Sequence, residues 1–321
     1  MSGRLENDYK IENKTKEMLI GMPSFAEDYY YSLSKKTAKT KNAYINYVNA
    51  YLQYLKQNGF DIDDINAYTA IKVSDINKYM NFISFNTTGG KVKENGESII
   101  RVRMAAVKSF YKFLYDNDSI PSNPCEKIEL PKITKEIAVV AMTKEEVGKV
   151  KENISSNGGK TKTQDLLIFT LGCRTGLRAT ALVEIDISDI DFDDNKIRVI
   201  EKGKKERDVY FTDDTKRLMQ DWINERGAIP GCDALFVSNR KQRISQKTIG
   251  RIIKKYTSGC IEKHITTHKM RSTYATNLYE ITGDIYLTAN GLGHKNIANT
   301  MRYTNVSEIQ KKKAAAVLDR L

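Results

Sequence analysis

Histidine, tryptophan, cysteine and proline are scarce in this 321-residue chain, with three, one, four and five copies. Each shortage excludes something. The cysteines, Cys125, Cys173, Cys232 and Cys260, form no C-x-x-C pair and no disulfide-like cluster, so a stapled secreted domain is not indicated and a reducing compartment is expected. Long apolar runs are lacking too. None approaches the roughly 20 residues of a membrane span. Residues 1–16 mix Arg4, Lys10 and Lys14 with Glu6, Asp8 and Glu12 and have no apolar stretch of the signal-peptide kind. A soluble, cytoplasmic protein with no membrane partner is expected. Three of the five prolines fall within residues 121–131, which marks that stretch as a break between longer elements.

Positive charge is abundant and uneven. Lys plus Arg number 52 against 40 Asp plus Glu, a net charge of +12. Residues 1–130 carry 18 basic and 16 acidic residues, whereas residues 131–321 carry 34 and 24. A basic C-terminal half suits a polyanion, and nucleic acid is the first candidate. Arg240, Lys241, Arg243, Lys247, Arg251, Lys254 and Lys255 follow one another between Val237 and Ile261 with no acid among them. A solvated helix would mix signs to gain i,i+4 pairs, so single-sign lining favours a face turned to phosphates, with Lys247 and Arg251 on it.

Periodicity indicates two domains. Residues 1–22 are polar and charge-balanced and are expected to be a flexible leader, with room for a short helix. Helical spacing then runs over residues 37–56, 73–83 and 97–115, with Ser74 as a candidate N-cap and Gly89-Gly90 as a break. The expectation is a small all-helical domain over residues 23–128, a linker over 129–141 and a second domain over 142–321. Lys35, Lys39 and Lys41 near one helix start, and Arg101, Arg103 and Lys108 on another helix, are candidate phosphate contacts. The second domain opens on Thr143 with Glu146 three later, a capping-box pattern. Two β-rich runs, 196–201 and 206–211, flank Lys202, Lys204 and Lys205 and are expected to form a hairpin with lysines at its tip.

The scarce histidines gather in one stretch, residues 266–303. It holds His268 and Arg271 as H-x-x-R, then Leu292-Gly293-His294, then Arg302-Tyr303. Thr175-Gly176-Leu177-Arg178 lies upstream. Cys260, His264 and His268 would line up as metal ligands by spacing, but no fourth ligand stands nearby in sequence. Among 18 tyrosines, Tyr303 stands out only by its distance of nine residues from His294.

Together, Thr-Gly-Leu-Arg at 175–178, Lys-Gly-Lys-Lys-Glu-Arg at 202–207, His268-Lys-Met-Arg271, Leu-Gly-His at 292–294 and Tyr303 resemble the tyrosine recombinase, or phage integrase, family, including its Xer-type members. The resemblance covers most of the chain. It implies a mainly α fold: a helical, SAM-like core-binding domain followed by a mixed α/β, mostly helical catalytic domain with a small β-sheet. It also implies a site-specific recombinase that cuts and rejoins double-stranded DNA through a 3′-phosphotyrosyl intermediate. In it Tyr303 is the nucleophile, His268 the base, Arg178 and Arg271 the phosphate clamp, and His294 a hydrogen-bond donor to the phosphate. Lys202 is the acid, with Lys204 and Lys205 as rivals. No cofactor or metal is implied. The expected state is a monomer or weak dimer when free and a tetramer on DNA, on the nucleoid of a bacterium or archaeon. Residues 307–321 form an expected tail helix that docks on a neighbour, and whether Tyr303 serves its own or a neighbouring site stays open.

A relaxing enzyme of the type IB topoisomerase kind and a non-catalytic DNA-binding protein on the same fold are the alternatives. No arm-binding domain fits into residues 1–22, so two domains are expected. The chain departs from the family pattern at Ala181, where an acidic residue commonly stands, and at Ser272, where histidine is frequent.

Overall fold

The computed structural model describes residues 3–88, 91–132, 139–201, 205–294 and 296–303. It separates into two compact units, Met1–Glu136 and Ile137–Leu321, with the division inside the stretch read as a linker.

The first unit contains α1 (Gly3–Leu19), α2 (Ser24–Ser32), α3 (Ala38–Gln57), α4 (Val73–Phe82), the strands β1 (Phe85–Thr88) and β2 (Lys91–Glu94), and α5 (Glu97–Asp116). The side chain of Thr37 caps α3 by accepting from the Thr40 N–H, and Ile45, Val48, Tyr51, Leu52 and Leu55 form its buried stripe. α5 answers with Ile100, Met104, Val107, Phe110, Tyr111 and Leu114. Tyrosine is unusually prominent in this core. Tyr29, Tyr51, Tyr68, Tyr79 and Tyr111 are all buried. A buried phenol needs a partner for its hydroxyl. Tyr51 and Tyr111 pair with each other at 2.6 Å, and Tyr68 donates to the Ile62 carbonyl at 2.9 Å.

Three expectations change here. The leader over residues 1–22 is not loose: α1 packs along α3, Leu19 joins the core, and the Asn42 amide donates to the buried Thr15 hydroxyl at 2.8 Å. The unit is not all-helical, because the Gly89-Gly90 region separates two antiparallel strands in which Phe85 pairs with Glu94 and Asn86 with Lys93. Helix α4 begins two residues earlier than a cap at Ser74 would place it, with Lys72 at the N-cap position; Asp75 accepts from the Lys72 backbone N–H at 3.1 Å and closes that end.

The second unit comprises α6 (Lys144–Asn157), α7 (Lys162–Thr175), α8 (Ala179–Glu184), the strands β3 (Ile190–Asp191), β4 (Lys196–Glu201) and β5 (Lys205–Tyr210), and then α9 (Asp213–Arg226), α10 (Gln246–Thr257), α11 (Thr267–Thr282), α12 (Ile285–Leu292) and α13 (Ala298–Met301). Thr143 and Glu146 form the reciprocal cap at the start of α6, each accepting from the other's backbone N–H. α7 is buried nearly all round, with Leu167, Ile168, Phe169 and Leu171 inaccessible, and it packs against α6, α9 and α11. The three strands form an antiparallel sheet in the order β3-β4-β5, with Ile197 opposite Val209 and Glu201 opposite Lys205. Trp222 of α9 donates its indole N–H to the Leu235 carbonyl at 2.8 Å and closes the core on that side.

Candidate active site

The site is assembled around α7, α8, α11, α12 and α13. At the end of α7 the chain must turn sharply into α8. Gly176 makes the turn with φ of 62°, a left-handed conformation that costs an L side chain about 1–2 kcal/mol. A Cβ at this position would also stand 2.4 Å from Cδ1 of Tyr274, so glycine is required on two grounds. The turn delivers Arg178 to the N-cap position of α8, half-buried, with its carbonyl accepting from the Leu182 N–H.

On α11, Thr266 caps the first turn, and that turn presents His268. One turn on, Arg271 is buried to 3% exposure. Its guanidinium donates from Nη1 to the Gly176 carbonyl at 2.5 Å and from Nη2 to the Leu292 carbonyl. These bonds tie the turn that carries Arg178 to the end of α12 that leads to His294. Gly293 ends α12 in the left-handed conformation, and the His294 N–H returns to the Ala289 carbonyl at 2.9 Å. The ring Nδ1 of His294 lies 2.8 Å from the Thr300 hydroxyl. Tyr303 follows α13, its N–H bonded to the Thr300 carbonyl at 2.8 Å. Its side chain is buried in a small apolar cluster with Ala275 and Leu292, against which Tyr274 and Val139 pack.

The electrostatics converge on His268. Partial burial first, and then the positive charges of Arg302, Arg271 and Arg178, hold its pKa below the ordinary 6.5. The neutral imidazole, the form able to accept a proton, is thereby favoured near neutral pH. Arg302 also lies over the ring of Tyr303, 5.6 Å from its centroid.

Arg178, His268, Arg271, His294 and Tyr303 thus stand on elements that one buried arginine and one buried threonine join. Lys202 and its rival Lys204 lie outside the described residues; the strands on either side of them pair as a hairpin, as expected. Ser272 is buried and donates to the His268 carbonyl at 3.3 Å, while Ala181 is buried in the core. Cys260, His264 and His268 do not gather: among the described residues no group of three His, Cys, Asp or Glu is placed to hold a metal.

Several basic residues read as phosphate contacts have internal partners instead. Lys41 pairs with Glu12 at 3.5 Å and lies over the Tyr30 ring. Arg101 donates to the Pro131 carbonyl at 2.7 Å and Lys108 to the Ile128 carbonyl at 2.8 Å, so both fasten the segment after α5 onto that helix. Arg103 is half-buried, its charge close enough to act on the Tyr79 hydroxyl. Arg243 donates to the Val183 carbonyl at 2.8 Å and pairs with Asp186. Lys255 turns to the Tyr256 hydroxyl at 2.9 Å. By contrast, Lys35, Lys39, Arg240, Lys241, Lys247, Arg251 and Lys254 are exposed. On α10, Ile249, Ile253 and Tyr256 are buried on the face opposite Lys247 and Arg251.

Three residues near the site were given no role in it by the sequence: Tyr274, Thr300 and Arg302. Tyr274 stands three positions after Arg271, on the same helical face, and that spacing was its only signal. Arg302 adjoins Tyr303, but one arginine among 52 basic residues carries no mark of its own.

Residues 141–309 match the Phage integrase family. A tyrosine recombinase XerC from Caldanaerobacter subterraneus subsp. tengcongensis is 29% identical over 303 residues, covering 89% of this chain and 83% of its own length. A tyrosine recombinase XerC from Corynebacterium glutamicum is 32% identical over 206 residues, covering 64% of this chain and 67% of its own length. Among solved structures, the XerH site-specific recombinase bound to palindromic difH substrate superposes with a TM-score of 0.71 at 17% identity, covering 90% of this chain and 83% of that one. A lambda integrase dimer bound to a COC′ core site gives 0.67 at 18%, covering 88% and 95%. The two structures share the mostly helical fold with small sheets. The matched family spans the whole assembly from α6 to Tyr303, and the chain belongs to the phage integrase family, the tyrosine recombinases.

Proposed function

We propose that the chain is a site-specific DNA recombinase that cuts and rejoins duplex DNA with Tyr303 as nucleophile. The Tyr303 oxygen attacks a backbone phosphorus while its proton passes to His268. The bond from phosphorus to the 5′-oxygen breaks, and Lys202 protonates that oxygen. A 3′-phosphotyrosyl bond and a free 5′-hydroxyl result. Attack by the 5′-hydroxyl of another strand reverses the step, so the energy of the broken diester is kept and no cofactor is called for. Tyrosine is a weak nucleophile at neutral pH, its pKa being about 10. The phosphate must therefore be made electrophilic, and Arg178 and Arg271 do this by placing fixed positive charge on the non-bridging oxygens.

The observation that carries this reading is the guanidinium of Arg271, which joins the Gly176 turn, α11 and the end of α12. It brings together motifs that lie about 90 residues apart in sequence. Arg271 would keep its backbone bonds while its charge acts on the phosphate. For DNA contacts the reading retains Lys35, Lys39, Arg240, Lys241, Lys247 and Arg251. Solved structures with this fold include XerH bound to its difH substrate and a lambda integrase tetramer bound to a Holliday junction. By analogy we assign double-stranded DNA as partner and a tetramer as the working assembly; the tail helix expected over residues 307–321 lies outside the described residues. Incubation with a duplex nicked near the cleavage site, which traps the cut strand, should give a covalent protein–DNA adduct. Tyr303→Phe should give none; an adduct of normal yield with that variant refutes the reading.

A further inference from the structure

We infer that Thr300 is a positioning residue that fixes the tautomer of His294 and couples that ring to the segment carrying Tyr303. The inference rests on the proposed role of His294 at the phosphate. Thr300 has no solvent exposure. Its side-chain oxygen lies 2.8 Å from Nδ1 of His294, and its backbone carbonyl accepts the Tyr303 N–H at 2.8 Å. One residue therefore holds two members of the site that are nine positions apart, one through its side chain and the other through its main chain. Its own N–H donates to the Ile297 carbonyl at 2.7 Å, so the short α13 turn fixes where both bonds point.

The direction of the hydroxyl bond follows from the chemistry at each end. A neutral imidazole carries one proton, on Nδ1 or on Nε2. Phosphate oxygens only accept hydrogen bonds, so a histidine that serves a phosphate through Nε2 must carry its proton there. Nδ1 is then an acceptor. A hydroxyl proton sealed from water needs an acceptor, and Nδ1 at 2.8 Å supplies it. Thr300 thus donates to Nδ1 and holds the Nε2–H form. Valine at 300 would keep the shape of threonine and remove the donor. The hydroxyl that occupies Nδ1 would then be gone, and with it this bond between the ring and the Tyr303 segment.

The test uses the full-length protein with nitrogen-15 in its imidazoles. Only three histidines contribute signals, and His264→Gln helps to assign them. Nitrogen chemical shifts above the titration range should report the Nε2–H form of His294 in the wild type and in Thr300→Ser. Thr300→Val should show a mixture or the Nδ1–H form. Adduct formation on the nicked duplex should fall about tenfold or more in the valine variant. DNA affinity should change little, and serine should restore most of the rate. A wild-type His294 protonated on Nδ1 overturns the proposal. So does a valine variant whose tautomer and rate are both unchanged. The tautomer readout does not depend on cleavage. A normal adduct with Tyr303→Phe would therefore defeat the recombinase reading and leave the hydrogen-bond direction standing or falling by its own measurement.

Discussion

A guanidinium buried to 3% exposure needs acceptors for its N–H groups, and two of those of Arg271 are the carbonyls of Gly176 and Leu292. Lysine keeps the charge but presents a compact ammonium in place of a planar fork. Arg271→Lys should therefore abolish detectable adduct and also lower the thermal unfolding midpoint, whereas Arg178→Lys, at a half-buried position, should reduce the adduct with a smaller change in midpoint. Equal midpoint losses would contradict the bridging role. His268 permits a second test at this scale. Burial and three guanidinium charges lower its pKa, so it stays neutral below the ordinary 6.5. The acidic limb of adduct formation at sub-saturating DNA reports the free protein, and it should lie below that value. Arg302→Gln removes one of the charges and should move the limb upward, while Arg302→Lys should leave it nearly in place. These effects show what sequence conveyed at the level of residues. His268, Arg271 and His294 stood out because histidine is scarce and the spacing matched a family. Thr300 and Tyr274 had no such mark. Their importance comes from contacts with His294 and with Gly176 and Gly291, which exist only once the chain is folded.

Among the elements, the turn between α7 and α8 is the most demanding. Gly176→Ala combines a left-handed φ, costing about 1–2 kcal/mol, with a position that Tyr274 would have to vacate. The variant should unfold at lower urea concentration and lose adduct formation together. An alanine variant with an unchanged urea midpoint would show that the turn relaxes freely. Helix α10 is accountable in another way. Its buried face is apolar and its opposite face carries Lys247 and Arg251 exposed. Replacing both with glutamine should weaken DNA binding and reduce the slope of log K against log salt by about 2, near 0.9 for each phosphate left without its cation. An unchanged slope would remove this helix from the interface. Elements with a strong apolar period, such as α3 and α5, were legible from sequence because burial imposes that period. The β1–β2 ribbon was not. Phe85, Asn86, Val92, Lys93 and Glu94 are all exposed, so no alternation of buried and exposed positions announces it. The length and docking of α1 were not legible for a related reason: its charges are balanced along the whole length, and its burial is limited to a few side chains such as Thr15 and Leu19.

At the scale of the whole molecule, the surplus of positive charge lies in the half that also carries the catalytic candidates, residues 131–321. A net charge of +12 suits DNA without selecting a sequence; the proposed chemistry at one phosphate would fall to the side chains gathered by Arg271 and Thr300. The prolines and the change in pattern after residue 116 fall close to the division between the two units, as compositional breaks between domains do. The internal partners of Lys41, Arg101, Lys108 and Arg243 were not legible, because charge alone does not distinguish a phosphate contact from a pin on a backbone carbonyl. The central claim is that one tyrosine, Tyr303, becomes joined to DNA. Tyr274 packs beside it in the same small cluster and is the natural competitor. The most direct measurement is to digest the adduct formed on a nicked duplex and identify by mass spectrometry the peptide that carries the nucleotide. A single modified residue, Tyr303, linked to a 3′-phosphate is expected; modification at Tyr274, or linkage to a 5′-phosphate, would contradict the assignment.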